Sequence, residues 1–441
     1  MAIAQVYHKD PSSDCFSDLR TAVFDMSHWG QESYWFAVYD SNTINPRTGS
    51  GIPKITSLRG MKGSCGVGLN SDKMRAKPAY SSSPKLRDFY VAFEGHLLNG
   101  EELRERHGGR TDGELAARFI RDSNDFQKGI ENLAESAKGH YSVLLATERG
   151  EAYGALSPLG VRPLIYGKGE KGSAVVSESR ALSHIGMERE RDIRPGEIFL
   201  TDDLGLHTLR QLEERRKICS FLWAYYSMPN SEIEGREIDI ARKNIGRVLA
   251  GMDRGIPADI IAPVPDSGKA YALYYALFSH IPYLEALDKY QYAGRSYIRP
   301  GTAMIKLIAY VKMTVVKERA RGNRIVLLDD SIRRGSQLMD KGGPIDLLRS
   351  AGAKEIHLRI ASPKNIKYCR CSPPGSSGRY EDEELAANMF DTDEKIAEYL
   401  GVNSVKFIGF DDFEKSITSA SRIRKEDMCW GCYTGDFKFL E

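Results

Sequence analysis

The chain has 441 residues, a length that suggests two or three domains, and a hydrophobic content of 41% supplies enough apolar side chains for real cores. Its formal net charge of +2 excludes the strong basic excess that favours a nucleic-acid partner. No apolar run approaches membrane-spanning length, and the N-terminal MAIAQVYHKD lacks the apolar core of a signal peptide. We therefore expect a cytoplasmic protein with no nucleic-acid and no membrane partner.

Two patterns of secondary structure follow each other along the chain. Residues 1–212 contain many short alternating strands and two helical stretches, whereas strands alternate with helices from about residue 213 to 410. The second pattern is typical of a parallel sheet. Its clearest predicted strands are ADIIAPVP (258–265), RIVLLDD (324–330) and EIHLRIAS (355–362).

The stretch RIVLLDDSIRRGSQ, residues 324–337, is the most informative part of the sequence. Its apolar residues have the length and branching of a central parallel strand, residues 338–348 offer a following helix, and ligands bind at the carboxyl end of such a strand. Asp329 and Asp330 are placed there to face ribose hydroxyls or a hydrated Mg²⁺ ion. The next residues could bind a phosphate monoester through backbone N–H groups, hydroxyls and cations; they are Ser331, Arg333, Arg334, Gly335 and Ser336.

This order of residues resembles the loop of type I phosphoribosyltransferases that binds 5-phosphoribosyl 1-pyrophosphate (PRPP). The alternative is an ordinary strand-to-helix turn with two solvated aspartates. The succession of apolar strand, paired carboxylates, basic pair, glycine and hydroxyl favours the phosphoribosyl interpretation.

The cysteines give a second signal. Seven cysteines are few for a disulfide framework in a chain of this length, and an odd count favours free thiols or metal ligands. Cys429 and Cys432 form CWGC near the C-terminus, Cys369 and Cys371 form CRC, and Cys219 lies in KICSF. Spacing alone leaves a zinc site, a redox pair, buried thiols and an iron–sulfur cluster open.

Several further motifs occur in one order along the chain: HWGQES (28–33), SPLGVRPL (157–164), VVSES (175–179), RPGEIFL (194–200), ARKNIG (241–246), VPDS (264–267) and YAGRSYIRP (292–300). With the PRPP loop they resemble the glutamine PRPP amidotransferases (amidophosphoribosyltransferases) over nearly the whole chain. The resemblance implies an α+β N-terminal-nucleophile-type glutaminase-like domain of stacked antiparallel sheets between helices at 1–212. It further implies an α/β type I phosphoribosyltransferase domain at 213–410, a cysteine-bearing tail at 411–441, a homo-oligomer, and purine nucleotides as additional ligands.

Some members of this family hold a [4Fe–4S] cluster with four cysteines. The resemblance assigns the four places to Cys219, Cys369, Cys429 and Cys432, and Cys371 competes for the third place. Such a cluster would tie the tail to both domains.

The glutamine site departs from the family pattern. A glutaminase of this family uses an N-terminal cysteine as nucleophile, and counting back from the HWGQES motif puts that place near Ala4. The family's HNGN segment, which supplies the oxyanion hole, corresponds to residues 93–96, with Glu94 in the place of the asparagine. Trp29 replaces the arginine of HRGQ, whereas Asp112, whose family counterpart grips the amino group of glutamine, is retained.

The remaining positions of the glutamine site also depart from the family pattern. The HxRY segment, whose arginine holds the glutamine carboxylate, corresponds to LNSD at residues 69–72. Cys15 lies in the stretch leading to a helix, and its exposure by processing would delete the strand that bears the nucleophile. Cys65, in SCGVG, is expected on an internal strand as a buried small thiol. We therefore expect no glutaminase activity.

The transferase half is better preserved. Asp266 and Ser267 match the family's pyrophosphate-side loop, Gln337 replaces a second hydroxyl of the PRPP loop, and two arginines of the flexible loop correspond to Ile305 and Tyr310. The residues assigned to catalysis are Asp329, Asp330, Lys312 and Arg295, the last followed by Tyr297 in the matching segment. The residues assigned to PRPP are Asp266, Ser267, Ser331, Arg333, Arg334, Gly335, Ser336 and Gln337, and the assigned Mg²⁺ ligands are Asp329 and Asp330.

Two classes of function fit these features. The first is a PRPP-dependent transferase in which ammonia, an amine, or ammonia delivered by another subunit attacks C1 of PRPP as pyrophosphate leaves. The second is a non-catalytic paralogue that binds PRPP or a nucleotide and acts as a regulatory or assembly partner. The intact LLDDSIRRGS favours the enzyme, and the loss of loop cations favours the binding protein.

Overall fold

The structure is a computed structural model that describes residues 1–53, 60–72, 77–290, 313–372 and 381–440. The α-helices are α1 (Cys15–Asp25), α2 (Gly100–His107), α3 (Asp112–Ser123), α4 (Phe126–Ser136), α5 (Arg180–His184), α6 (Ile238–Met252), α7 (Lys269–Ser279), α8 (Lys317–Ala320), α9 (Ser336–Met339), α10 (Pro344–Ser350), α11 (Ala386–Met389), α12 (Asp393–Leu400), α13 (Phe410–Thr418) and α14 (Gly431–Thr434). Shorter helical turns are the 3₁₀ turns Ser27–Trp29, Asp382–Glu384, Lys425–Asp427 and Lys438–Leu440 and the π-helical turn Leu222–Tyr226.

The strands of the first half are β1 (Ala2–His8), β2 (Ser33–Tyr39), β3 (Ile44–Ser50), β4 (Cys65–Ser71), β5 (Ala79–Ser83), β6 (Arg87–Leu97), β7 (Gly139–Thr147), β8 (Ala152–Leu156), β9 (Ile165–Lys168), β10 (Gly172–Val176), β11 (Glu188–Asp192), β12 (Glu197–Asp202) and β13 (Gly205–Gln211). Those that follow are β14 (Ile218–Cys219), β15 (Glu232–Ile233), β16 (Arg236–Glu237), β17 (Ile260–Pro263), β18 (Leu287–Lys289), β19 (Met313–Val315), β20 (Arg324–Asp329), β21 (Glu355–Ile360), β22 (Ser404–Phe407) and β23 (Met428–Cys429).

The first half stacks two antiparallel sheets between helices. One has the order β11-β9-β10-β1-β4-β2-β3 and the other β13-β12-β8-β7-β6-β5. Alternation along β1 sends Ala4 towards the core that contains α1, whereas Ile3 points into the core between the sheets. A third core joins the second sheet to α3 and α4. This arrangement confirms the fold expected for the glutaminase-like half.

The helices of this half are more numerous than expected. The sequence predicted two helical stretches, but the described residues contain five α-helices up to His184. Part of the difference lies in the stretch from α2 to α4, which is interrupted twice. Gly108 (φ +75°) ends α2, and Asn124 in the left-handed region ends α3.

The second half contains the expected parallel sheet, in the order β17-β20-β21-β22. The three predicted strands appear as β17, β20 and β21, all buried. In β20, Ile325 and Leu327 face a core shared with α10 and α12, and Val326 and Leu328 face the core shared with α6 and α7. Burial on both faces explains the unbroken apolar run in the sequence.

One expected helix is wrong. The sequence predicted a single helix over residues 338–348, but α9 ends at Met339 and α10 begins at Pro344. Gly342 between them has φ +84°, and Pro344 has no N–H to continue a helix from the preceding turn.

The tail returns to the junction between the two halves. Strand β23 pairs in parallel with β14, and Cys429 lies beside Cys219 in this pair. One hydrophobic core runs from α1 through Trp223 to Tyr433 and Phe437, so the tail packs as part of the protein interior. Within the described ranges, no helix is long and apolar enough to cross a membrane.

Candidate active site

The two acidic residues lie at the carboxyl end of β20 and are both buried. Asp329 accepts hydrogen bonds from the Ser267 hydroxyl (2.6 Å) and from the Asp330 N–H (2.9 Å), and Asp330 accepts one from the Ser331 hydroxyl (2.6 Å). Burial raises the pKa of both carboxyls, and the adjacent Asp330 charge raises the pKa of Asp329 further. Two buried neighbouring carboxylates fit a divalent cation, which would offset their repulsion.

A second loop brings Ser267 to this pair. It joins β17 to α7, and its Pro265–Asp266 peptide bond is cis. A Cβ atom on Gly268 would lie 2.0 Å from the Leu328 carbonyl oxygen, so only glycine allows the loop to lie against the end of β20. Asp266 forms ion pairs with Lys289 (2.5 Å) and Lys269 (3.4 Å), which places two ammonium groups on this side of the site.

The loop that the sequence predicts to bind phosphate, residues 329–337, runs from the end of β20 to α9, and we call it the phosphate loop. Gly335 has φ +84° and precedes the helix. The Arg333 carbonyl oxygen accepts a hydrogen bond from Ala386 N–H (2.7 Å), and Arg334 lies 3.7 Å from the Glu384 carboxylate. The structure thus joins Ser267, Asp329, Asp330 and Ser331 directly, with Arg333, Arg334, Gly335, Ser336 and Gln337 on the same loop. The expected positions Arg295, Tyr297, Ile305, Tyr310 and Lys312 lie outside the described residues.

The expected nucleophile place holds no thiol. Ala4 is buried within β1, between Val176 of β10 and Gly68 of β4. Cys15 begins α1 and Cys65 begins β4, and both are fully buried. Burial raises the pKa of Cys15 well above its usual value and that of Cys65 to about 12, which opposes formation of a nucleophilic thiolate.

A buried ion pair and two aromatic rings lie where the glutamine site was expected. Glu94 lies 3.7 Å from the Arg162 guanidinium, and burial raises the pKa of the Glu94 carboxyl. The guanidinium carbon lies 5.0 Å from the Trp29 ring centre and 4.5 Å from that of Tyr226. Charge pairing and stacking hold these four side chains together, although the buried Glu94 Oε2 and Arg162 Nη1 make no hydrogen bond to any described residue.

Glu178 fixes this arrangement. Its buried carboxylate accepts hydrogen bonds from the His28 ring (2.5 Å), Trp29 Nε1 (2.6 Å), Met228 N–H (2.6 Å) and the Ser231 hydroxyl (2.5 Å). It therefore connects the expected glutaminase-like half with the segment that leads into α6. Sequence reasoning assigned no role to Arg162 or Glu178, although both lie in motifs that carry the family resemblance.

Asp112 has neighbours of its own. It accepts a hydrogen bond from Leu97 N–H (3.0 Å) and pairs with Arg104, so it ties the end of β6 to the start of α3. Desolvation opposes its ionisation, but hydrogen bonds from His96 and Leu97 and the Arg104 charge hold its pKa below the usual value.

Five cysteines converge at the junction of the tail with both halves: Cys219, Cys369, Cys371, Cys429 and Cys432. The neighbouring thiols of Cys371 and Cys432 lower the pKa of the Cys369 thiol, and the Ser372 hydroxyl lies 3.7 Å from the Cys369 sulfur. The thiols of Cys369 and Cys429 raise the pKa of Cys371. The burial of Cys219 raises its pKa to about 12. We call this group the cysteine centre.

The donor set of the cysteine centre fits a four-thiolate cluster. Among the described residues no three His, Cys, Asp or Glu side chains stand in metal-ligating geometry. The fit rests instead on the convergence of buried and half-buried cysteines from three segments and on the nearby Arg162 guanidinium, whose charge would offset that of thiolates. Cys371 lies beside Cys369, so both remain candidates for the third ligand.

The chain is similar to known proteins over nearly its whole length, although no family model matches it. The amidophosphoribosyltransferase of Archaeoglobus fulgidus is 31% identical over 94% of this chain and 93% of its own length, and that of Methanothermobacter thermautotrophicus is 30% identical over 99% and 94%. The structure of B. subtilis glutamine PRPP amidotransferase complexed with ADP and GMP superposes with a TM-score of 0.86 at 28% identity, covering 99% of this chain and 96% of that chain.

Proposed function

The chain belongs to the amidophosphoribosyltransferase family of phosphoribosyltransferases, and we propose that it transfers ammonia or an amine to C1 of PRPP, with release of pyrophosphate and without glutaminase activity of its own. The observation that carries this proposal is the contrast between two groups of buried charged side chains. Asp329 and Asp330 are buried beside each other and, among the described residues, form no ion pair; they accept hydrogen bonds from Ser267, Ser331 and a backbone N–H. Glu94, in contrast, is paired with Arg162.

The transferase residues would act mainly by positioning and charge. We assign the ribose diol to Asp329 and Asp330, whose carboxylates are fixed by Ser267 and Ser331. The phosphate loop, with Arg333, Arg334, Gly335, Ser336 and Gln337, would hold the 5′-phosphate. Asp266 holds Lys269 and Lys289 on the pyrophosphate side, where positive charge favours departure of the leaving group. A Mg²⁺ ion held by Asp329 and Asp330 would neutralise charge that develops on pyrophosphate.

Loss of the glutaminase reaction follows from several positions at once. Ala4 supplies no nucleophile, so the covalent route through a thiol is absent. Glu94 would repel the oxyanion that an asparagine amide stabilises, and Trp29 is locked by Glu178 beside the Arg162 guanidinium. The nitrogen would therefore come from solution as ammonia or an amine, or from an ammonia-supplying subunit.

We also assign domain borders that agree with the sheets. Strand β13 ends at Gln211, so the glutaminase-like domain would comprise residues 1–212. The parallel sheet ends with β22 at Phe407, within a transferase domain of residues 213–410. The tail, residues 411–441, would carry two ligands of a [4Fe–4S] cluster held by Cys219, Cys369 or Cys371, Cys429 and Cys432. That cluster would serve as a structural link.

The competing function is a non-catalytic protein that binds PRPP or a purine nucleotide. The observation that favours it is the presence of Ile305 and Tyr310 where the family's flexible loop has arginines. The experiment that separates the two measures pyrophosphate released from PRPP and Mg²⁺, with ammonium, glutamine and a panel of amines offered separately. Release with ammonium or an amine supports the enzyme. PRPP binding without release under any condition supports the binding protein.

A further inference from the structure

The phosphate loop is held by a neighbouring segment, residues 381–390, which we call the clamp. Ala386 N–H donates to the Arg333 carbonyl oxygen (2.7 Å), and Glu384 lies 3.7 Å from Arg334. Leu385 and Ala386 are buried, so this end of the clamp is anchored in the core beside the loop. The position of the loop backbone at Arg333 therefore depends on the position of the clamp.

The other end of the clamp is bonded to the segment that follows β21. The Asn388 side-chain amide donates to the Ile366 carbonyl oxygen (3.0 Å) and to the Asp382 carbonyl oxygen (2.6 Å). Asp382 in turn accepts a hydrogen bond from Tyr368 N–H (2.8 Å) and pairs with Lys367 (2.8 Å). Asn388 thus braces the clamp internally and joins it to residues 366–368.

Residues 366–368 are held by the cysteine-bearing tail. The Cys432 carbonyl oxygen in α14 accepts hydrogen bonds from Ile366 N–H (2.9 Å) and Lys367 N–H (3.2 Å). Cys369, which is close enough to Cys432 for each thiol to shift the pKa of the other, follows directly on the same segment. One continuous set of bonds therefore runs from the cysteine centre to the phosphate loop.

We propose that Asn388 is a positioning residue that couples the cysteine centre to the phosphate loop, so that a tail held by its cysteines keeps the loop in its PRPP-binding position. This inference rests on the proposed function of the loop. Asn388 is exposed, so it fills no core space, and its amide makes two backbone contacts. Shortening this side chain removes the contacts without creating a cavity, and the buried anchor at Ala386 remains.

The test measures PRPP binding by calorimetry on the full-length protein, purified without oxygen, in the presence of Mg²⁺. Asn388→Ala should weaken PRPP binding roughly threefold to tenfold, because two hydrogen bonds that fix the clamp are lost. Asn388→Gln keeps the amide and should recover part of the affinity. The matched control is Asn323→Ala, which removes a comparable amide-to-backbone bond to Arg319 (2.9 Å) and should bind PRPP as the wild type does.

A second comparison separates coupling from a merely structural role. Cys432→Ser should also weaken PRPP binding, and its effect should be smaller in the Asn388→Ala background than in the wild type, since both changes interrupt the same connection. Additive effects, or an unchanged affinity in Asn388→Ala, would overturn the inference while the proposed function stands. A wild-type protein that binds no PRPP overturns both.

Discussion

Two groups of buried charged side chains, Glu94 with Arg162 and Asp329 with Asp330, differ in how their charges are balanced. In the first, Glu94 lies 3.7 Å from Arg162, and Trp29 and Tyr226 cover the guanidinium, so the carboxylate has an opposite charge beside it. In the second, burial and the Asp330 charge raise the pKa of Asp329, the Arg242 charge opposes the rise at Asp330, and no described residue forms an ion pair with either carboxylate. A buried carboxylate that has an opposite charge beside it needs no further ligand, whereas two buried neighbouring carboxylates with raised pKa values are typical of a functional site.

The largest effect is expected at the cysteine centre, where the two halves and the tail meet. If it holds a [4Fe–4S] cluster, anaerobically purified protein should be brown with about four irons per chain. Cys429→Ser should remove the colour and lower the melting temperature, because Cys429 also lies in the strand paired with β14. Cys65→Ser, in another core, should retain the iron. One zinc per chain and no iron would identify a structural zinc site instead.

The next largest effect, a loss of PRPP affinity, is expected at the Asp329–Asp330 pair. Asp330→Asn removes one of the two carboxylates, so PRPP affinity should fall roughly tenfold to a hundredfold in Mg²⁺ and should depend less on Mg²⁺. Calorimetry with and without Mg²⁺ measures both quantities. Arg334→Ala should weaken PRPP binding similarly in Mg²⁺ but leave its Mg²⁺ dependence intact. An Asp330→Asn protein with the wild-type Mg²⁺ dependence would contradict the assignment of the metal to this pair.

A smaller effect is expected at Asp192, which lies where the first half meets the β15–β16 hairpin. It accepts a hydrogen bond from Glu234 N–H (3.2 Å) and pairs with Arg189, but burial outweighs the Arg189 charge and raises the pKa of Asp192 from 3.8 to about 7. A carboxyl with a raised pKa favours the folded state while it is protonated, and that contribution is lost as the pH rises towards and through about 7. The contribution of Asp192 to the melting temperature should therefore fall between pH 3.8 and about 7.

Asp192→Asn isolates this contribution. The amide cannot ionise, so the variant should lose less thermal stability over the same pH range than the wild type. The exposed Asp122→Asn is the control and should follow the wild-type curve. Parallel curves for wild type and Asp192→Asn would show that Asp192 is ionised in the folded protein well below neutral pH.

The smallest change in PRPP affinity and in activity is expected from substitutions at the positions of the lost glutamine site. Asp112 is bonded to Leu97 and Arg104 far along the chain from the phosphate loop, so Asp112→Ala should leave PRPP affinity unchanged. Ala4→Cys should likewise produce no glutaminase activity, because Glu94 still replaces the asparagine of the oxyanion hole and Trp29 still replaces the arginine of HRGQ. Glutamate release by Ala4→Cys would show that only the nucleophile had been lost.

The features that followed from local sequence were the ones predicted well. The apolar run of β20 and the residues after it placed Asp329 and Asp330 at a strand end, because burial on both faces leaves a plain signature in sequence. The break between α9 and α10 was missed although Gly342 and Pro344 are visible, since the apolar periodicity continues through them. Turn chemistry outweighed periodicity at that point.

The features that depended on distant contacts were not predictable. Nothing in the sequence indicates that Arg162 stacks on Trp29 and Tyr226, because these residues meet only after the two halves pack together. The same holds for the four donors that converge on Glu178 and for Asn388, whose partners lie on separate loops. The sequence named Cys371 as a competitor for the third cluster place, and the structure places it beside Cys369 without deciding between them.

The most direct test of the central claim measures glutamate and pyrophosphate in the same reaction mixture. Purified protein would be given PRPP and Mg²⁺ with either glutamine or a nitrogen donor from the set of ammonium and amines. We expect pyrophosphate release with ammonium or at least one amine. With glutamine, we expect neither glutamate nor pyrophosphate above the background measured without enzyme. Stoichiometric formation of glutamate and pyrophosphate from glutamine would contradict it.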